Sequence, residues 1–249
     1  MNSSKQWIEH FNMSATQQRI NWNLKPAITE EQIALVLRSM QAWQLGETSE
    51  GKDLMRATKK YAQKIGDPDY VMAVSLFIKE EQKHGNNLGK YLDAIGRPRI
   101  RHDWGDTLFR KVRHLNTSME MWTLTVIIVE STAQIFYQSL KDATSCDLLQ
   151  QICTDILIDE AYHIHFQTER LAILFEHKTA SVRILSTIVY PLFFFATATV
   201  VWLVNRRLFE AGGNPFSTYI RKMKCKYRKT LRKVTNAGAY PAVHTLAVK

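Results

Sequence analysis

Two Glu-x-x-His motifs, Glu81-x-x-His84 and Glu160-x-x-His163, lie in stretches whose apolar residues recur at helical spacing. Residues three apart share one face of a helix, so each motif places a carboxylate beside an imidazole. The apolar stripes that run into the motifs are Val71, Val74 and Ile78 in the first and Ile152 and Ile156 in the second. Because an ionised carboxylate in an apolar core is costly unless it is paired or binds metal, both motifs predict metal ligands.

Further carboxylates occur in two other apolar stretches. Glu130 lies within the run TLTVIIVESTAQIF, and Glu47 and Glu50 lie three residues apart on another inward-facing seam. Glu47 is the favoured ligand of that pair, with Glu50 as an alternative or additional one. Four inward carboxylates and two imidazoles would be untenable in an empty core, whereas two divalent cations would balance four negative charges. The pattern therefore predicts a dimetal site.

Four long amphipathic helices must position these residues, and no strand-like alternation is present. The predicted helices are 30–65, 69–95, 117–140 and 146–176. Short breaks within each half and a longer basic connection at 97–115, with a short helix after Asp106, indicate an all-α four-helix bundle with one crossover. The predicted units are an irregular N-terminal extension, the dimetal bundle, and an apolar helix followed by a basic tail: 1–29, 30–180 and 181–249.

The motifs LGETSEG, KEEQKHG, IIVESTAQ and IDEAYHIHF resemble the ferritin-like diiron carboxylate superfamily. The first half is similar to rubrerythrins and the second to diiron oxygenases, so the subfamily stays open. The resemblance implies two iron ions, with manganese or mixed manganese/iron as alternatives, and these metal ligands: Glu47, Glu81, His84, Glu130, Glu160 and His163. It also implies that Asp159 holds the imidazole of His84. Tyr137 lies seven residues after Glu130 on the same helix face and could line the site, but ordinary core is the favoured interpretation.

Glu/His ligation with open positions suits iron or manganese. The apolar surroundings of Glu130 favour an oxidase or oxygenase that activates O2 to oxidise a small lipophilic substrate. No paired cysteines of a rubredoxin type are present, so the electrons must come from an external donor. The alternatives are a ferroxidase or a peroxide-scavenging protein similar to rubrerythrin or manganese catalase, and a membrane-associated protein without enzymatic activity.

The net charge of +10 belongs entirely to the C-terminal end, because residues 205–249 contain eleven basic residues and one acid. This tail could meet an anionic membrane or an acidic protein, and no nucleic-acid-binding motif accompanies it. Before it, Ile184–Val204 carries no charge. A buried or dimer-forming helix is favoured there over an interfacial or a spanning one. An odd number of cysteines without a C-x-x-C pair and the lack of a secretory signal predict a cytoplasmic protein. The chain is also expected to form a homodimer, and in the alternative case it associates with a membrane through 184–234.

Overall fold

The computed structural model describes residues 1–105, 107 and 118–236, and this part of the chain is helical without a strand. The all-α prediction is therefore confirmed, and the short helix predicted after Asp106 lies outside the described residues apart from Thr107. The helices are α1 (Ser4–Ala15), α2 (Glu30–Glu47), α3 (Lys52–Ile65), α4 (Asp69–Ala94), α5 (Met119–Asp142), α6 (Asp147–Glu176), α7 (Ala180–Val204), α8 (Arg206–Ala211) and α9 (Phe216–Asn236).

A break divides the first of the predicted long helices, so the prediction of one helix over 30–65 is wrong. Helix α2 ends at Glu47 and α3 begins at Lys52. Gly51 precedes α3 with φ of 63°, a left-handed conformation that favours glycine. A Cβ atom there would come within 2.6 Å of the Ile78 side chain. Apolar periodicity continues through the break, and for this reason the sequence pattern does not reveal it.

The N-terminal segment is not irregular throughout, as predicted, because it contains α1. Ser3 and Gln6 form a reciprocal capping box that starts this helix. Trp7 and Phe11 are buried against a core that includes Phe166, and the Trp7 indole donates to Glu169 Oε2 at 2.9 Å. Helix α1 thus packs on α4 and becomes part of the folded structure.

Two clusters of buried apolar side chains lie toward opposite ends of α4 and α6, which together with α2 and α5 are the four central helices. In α4, Ile78 belongs to one cluster and Leu88 to the other. In α6, Phe166 belongs to the same cluster as Ile78, and Ile156 belongs to the same cluster as Leu88. The Glu-x-x-His motifs occupy the turns between these residues. The polar cluster is therefore enclosed by apolar packing before and after it along both helices.

Helix α7 packs along one side only. Tyr190, Phe194 and Trp202 are buried, whereas the opposite stripe is exposed. By length and composition alone, α7 could cross a membrane, and 22% of its most apolar 18-residue stretch is buried inside the structure. Within this single chain one side of α7 is buried and the other is exposed, so the prediction of a buried or dimer-forming helix stays a prediction.

Candidate metal centre

Two overlapping groups of side chains place their ligand atoms within 4.8 Å of one another. The three-donor group consists of Glu47, Glu81 and His84. The four-donor group consists of Glu81, Glu130, Glu160 and His163. All six residues predicted as ligands are thus brought together, with Glu81 shared by both groups. Glu50 is not part of either group, since its side chain is exposed and pairs with Lys52.

Each of the four central helices contributes to this cluster from a different position. Glu47 is the last residue of α2, whereas Glu130 lies in the middle of α5. Glu81 and His84 come from α4, and Glu160 and His163 come from α6. Both histidines and Glu160 have no exposed surface, so these polar side chains depend on partners inside the protein.

The two imidazoles direct their Nδ1 atoms toward the carboxylates of Glu160 and Glu81. His84 Nδ1 lies 3.7 Å from Glu160 Oε1, and His163 Nδ1 lies 3.6 Å from Glu160 Oε2. His163 Nδ1 also lies 2.7 Å from Glu81 Oε1, but the pair lacks the alignment of a hydrogen bond. Glu160 therefore lies between both imidazoles, in addition to its place in the four-donor group.

The Nε2 atoms face outward, and each one contacts a second carboxylate. His84 Nε2 lies 3.1 Å from Asp159 Oδ2, the contact that the sequence resemblance implied. His163 Nε2 lies 2.9 Å from Glu80 Oε2, which sequence reasoning missed. A carboxylate that accepts the Nε2 proton leaves the Nδ1 lone pair available for a metal. The signal was present in the sequence, because Glu80 precedes its Glu-x-x-His motif as Asp159 precedes the other.

The N-terminal segment supports these outer carboxylates. Ser14 Oγ donates to Glu80 Oε1 at 2.5 Å, and Arg19 Nη1 donates to Asp159 Oδ1 at 2.7 Å. Lys83 Nζ reaches Asp159 Oδ2 at 2.6 Å. Burial would raise the pKa of Asp159, but the hydrogen bonds from His84, Lys83 and Arg19 outweigh it and hold that pKa well below its usual range. The outer carboxylate of His84 is therefore firmly ionised.

The pKa values of the carboxylates inside the cluster shift in opposite directions. Burial, together with the charges of Glu81 and Glu160, raises the pKa values of Glu47 and Glu130 well above their usual range. Burial also acts on Glu81, but the positive charge of the nearby His163 prevails and lowers the pKa of Glu81 to about 2. Burial would lower the pKa of His163, but the charge of Glu81 and carboxylate hydrogen bonds raise it well above 6.5. Without metal, the cluster thus requires protons to offset its crowded negative charge.

Several donor atoms in the described cluster are buried without a hydrogen-bond partner. These atoms are Glu81 Oε1, both carboxylate oxygens of Glu160, and the Nδ1 atoms of His84 and His163. Orphaned polar atoms of this kind are rare in a folded core and require an explanation. Oxygen and imidazole donors that converge without partners fit a metal ion, and hard carboxylates favour iron or manganese over copper.

Tyr137 participates in the cluster rather than being ordinary core, which corrects its interpretation from the sequence. Its hydroxyl donates to Glu47 Oε1 at 2.6 Å. Burial and the charge of Glu47 raise the pKa of Tyr137 well above 10, so the hydroxyl keeps its proton as a donor. The hydrogen bond orients the carboxylate at the end of α2.

Two cavities reach the cluster and have different linings. The polar cavity, about 490 Å³, borders Glu47, Glu81 and Glu130 and includes the break between α2 and α3. The apolar cavity, about 420 Å³, lies between α2, α5 and α7 and borders Glu47, Trp43 and Phe193. Glu47 lines both cavities, so the three-donor group is the more accessible side of the cluster.

Neither protein-family models, nor curated proteins, nor solved structures show a match to the chain. Within the described residues, the geometry nevertheless defines an all-helical arrangement in which Glu and His side chains from four helices could hold a metal ion. This arrangement is compatible with a ferritin-like diiron site.

Proposed function

We propose that the chain is a non-heme diiron oxidoreductase, in which α2, α4, α5 and α6 form a ferritin-like four-helix bundle. It would use O2 to oxidise a small lipophilic organic molecule, with electrons from an external donor. The observation that carries this proposal is the convergence of six Glu and His side chains in two overlapping groups, with buried donor atoms that have no other partner.

The donor groups suggest how two metal ions would be divided. Glu47 and His84 would hold one ion, and Glu130 and His163 would hold the other, with Glu81 and Glu160 between them. A pair of reduced iron ions supplies two electrons to O2, which is chemistry that side chains alone do not provide. Manganese or a mixed pair fits the same donors.

The surrounding side chains would fix the geometry of this centre. Asp159 and Glu80 accept the Nε2 protons of the imidazoles and hold each Nδ1 atom toward the cluster. Tyr137 holds Glu47 through its hydroxyl hydrogen bond. These contacts keep the donors in place, so little reorganisation is needed when the metals bind.

The apolar cavity is the proposed binding site of the organic substrate. Its lining includes Trp43, Val129 and Phe193, and it borders the cluster at Glu47. Apolar walls bind a lipophilic molecule and exclude water from the reacting centre. The polar cavity, which borders three of the cluster carboxylates, would serve O2, water and proton movement.

The polar cavity also favours a second candidate function, iron oxidation or peroxide removal, because it provides a hydrophilic path to the same carboxylates. Filling the apolar cavity distinguishes the two functions. Ala196→Trp would place a large side chain among the residues that line it. Loss of organic oxidation with unchanged Fe(II) oxidation supports the oxygenase proposal. If no lipophilic compound stimulates O2 uptake in the wild type while peroxide or Fe(II) is consumed, the second candidate is favoured.

The metal content of Glu130→Ala/His163→Ala tests the centre itself. Both side chains lie in the four-donor group, so we expect the double variant to lose at least one of the two ions per chain found in wild-type protein purified from its own host. Glu50→Ala/His165→Ala is the matched control, because it removes the same residue types from exposed or half-exposed positions. Full iron retention in the cluster variant, with native helical content, would overturn the proposal. O2 uptake with candidate lipophilic substrates and a reductant then tests the reaction.

A further inference from the structure

Helix α7 has two opposite stripes, each with a repeat of three or four residues. The inner stripe, Ser186, Tyr190, Phe194, Ala198 and Trp202, is buried against the rest of the protein. The outer stripe consists of Ile184, Ile188, Leu192, Ala196, Val200 and Leu203. Leu192 is 71% exposed, and Ile184 and Ile188 exceed 60%. A continuous apolar row of this length on a protein surface indicates an interaction site.

Helix α9 runs antiparallel beside α7. The Tyr219 hydroxyl donates to the Ala198 carbonyl at 2.9 Å, while farther along α9 the Tyr227 ring lies 5.1 Å from that of Phe194. The outward side of α9 carries a basic row at the same helical spacing: Arg221, Lys224, Arg228 and Arg232. Within the described residues, none of these four forms an ion pair with an acidic side chain, and α9 itself contains no acid.

We propose that the outer stripe of α7 and the basic row of α9 together form a docking face for an anionic lipid bilayer. An apolar helix beside a basic one matches the two layers of a membrane surface, where acyl chains lie beneath negatively charged headgroups. The proposal concerns the location of the protein and does not depend on its metal content or reaction.

Charge disfavours a second copy of the chain as the occupant of this face. A twofold contact places the same surface of both chains together. The basic rows of two α9 helices would then approach each other without intervening acids, which is unfavourable. An anionic lipid surface supplies the missing opposite charge.

The neighbouring helix also determines the orientation of α7. If α7 crossed the bilayer, α9 would be carried with it, and its basic row would enter the hydrocarbon region unpaired at high cost. Basic residues flank α7 at both ends as well, with Arg183 in its first turn and Arg206 and Arg207 after it. The position of α9 favours an α7 that lies parallel to the membrane plane, and the flanking basic residues would then meet lipid headgroups at both ends. Val200 and Val204 line the apolar cavity too, so this cavity adjoins the docking face.

Co-sedimentation of the full-length chain with lipid vesicles tests the proposal. The vesicles consist of phosphatidylcholine alone or of an equal mixture of phosphatidylcholine and phosphatidylglycerol. We expect binding to the mixed vesicles that is at least about tenfold tighter than to phosphatidylcholine alone and that weakens with added salt, since each basic residue near an anionic surface contributes about fivefold in affinity.

Two variants separate the apolar and the basic contributions. Ile188→Asp/Leu192→Asp should abolish binding, and its matched control is Met13→Asp/Met72→Asp, which alters exposed apolar residues of α1 and α4. Replacement of Arg221, Lys224, Arg228 and Arg232 by Gln should weaken binding by at least about tenfold. Its control replaces four exposed lysines of α1 and α3 by Gln: Lys5, Lys59, Lys60 and Lys64. All four variants alter exposed side chains, so helical content should stay unchanged.

Two results would overturn the proposal. The first is no vesicle binding by the wild type, and a dimer that Ile188→Asp/Leu192→Asp dissociates would then assign the outer stripe to a second copy of the chain. The second is protein in host membranes that is released only by detergent, which would show that α7 spans the bilayer. Iron content measured on the same samples keeps this result separate from the proposed function.

Discussion

The three-donor and four-donor groups look equivalent in the sequence and differ in the structure. Each half of the chain supplies one Glu and then a Glu-x-x-His motif. Glu130, however, lies in the interior of α5, whereas Glu47 ends α2, accepts a hydrogen bond from Tyr137 and borders both cavities. The comparison indicates that the three-donor group borders both cavities through Glu47, whereas the four-donor group borders the polar cavity alone.

The outer carboxylates show a related difference. Asp159, which contacts His84, also binds Lys83 and Arg19, whereas Glu80, which contacts His163, is supported by Ser14. The histidine of the group with fewer donors therefore has the more extensive outer support. The contacts of Asp159 with Lys83 and Arg19 hold the imidazole of His84 in place. This support compensates for the smaller number of donors in the three-donor group.

Metal occupancy gives the largest expected difference between the groups. Glu47→Ala leaves two donors in the three-donor group, so we expect occupancy to fall from about two ions to about one per chain. Glu130→Ala leaves three donors in the other group, and occupancy should fall less at the same free iron concentration. Metal analysis after dialysis against graded chelator measures both. Equal losses would show that the two groups do not differ in this way.

The stability of the metal-free chain should depend on pH through one acid in each group. Because the pKa values of Glu47 and Glu130 are raised, the folded chain retains protons that the unfolded chain releases above about pH 4.5. Stability should therefore increase as pH falls from 7 toward 5, by about 1.4 kcal/mol per pH unit for each retained proton. Urea unfolding at several pH values measures the slope.

Glutamine variants assign that slope to the two groups. Glu47→Gln and Glu130→Gln should each reduce it, since each removes one retained proton. The lowered pKa of Asp159 acts in the opposite direction, because its stabilisation is lost only when pH falls below about 4. An unchanged slope in both variants would contradict the assignment.

The outer carboxylates should differ in their effect on unfolding free energy. Asp159→Asn weakens contacts with Lys83 and Arg19, whose side chains are 28% and 20% exposed, and should cost about 3 kcal/mol. Glu80→Gln alters one contact with the charged His163 imidazole and one with the Ser14 hydroxyl, and should cost about 2 kcal/mol. Urea unfolding of the metal-free variants at neutral pH measures both values. A greater loss for Glu80→Gln would reverse the order of support inferred from the structure.

The smallest expected effect concerns the hydrogen bond between Tyr137 and Glu47. Tyr137→Phe should cost about 1.5 kcal/mol and weaken metal binding by about tenfold in the three-donor group alone. Tyr219→Phe is the matched control, since it removes another hydroxyl hydrogen bond, to the Ala198 carbonyl, away from the cluster. Metal titration should distinguish the two variants even if their stabilities are similar. Equal metal affinity in both would exclude an orienting role for Tyr137.

Part of the fold was predictable because its signals are local. The spacing of Val71, Val74 and Ile78 indicates a helix face that continues to Glu81, and this face is indeed directed inward. The break after Glu47 was not predictable from periodicity, since apolar residues continue on the same register across it. The Ser3 and Gln6 pair that caps α1 was present in the sequence. A short polar pattern of this kind also occurs by chance, and only the packing of α1 on α4 shows that it starts a helix here.

The sequence by itself determined the helical class and the set of side chains that could bind metal, because both depend on residue type and on spacing within single helices. Tertiary structure decided which of several carboxylates with the same chemistry lie in the cluster. It placed Glu47 in the cluster and Glu50 outside it, since the chain turns at Gly51 between two helices. It also brought Ser14 to Glu80 from a position 66 residues away. Contacts of that range depend on how helices pack, and no local pattern encodes them.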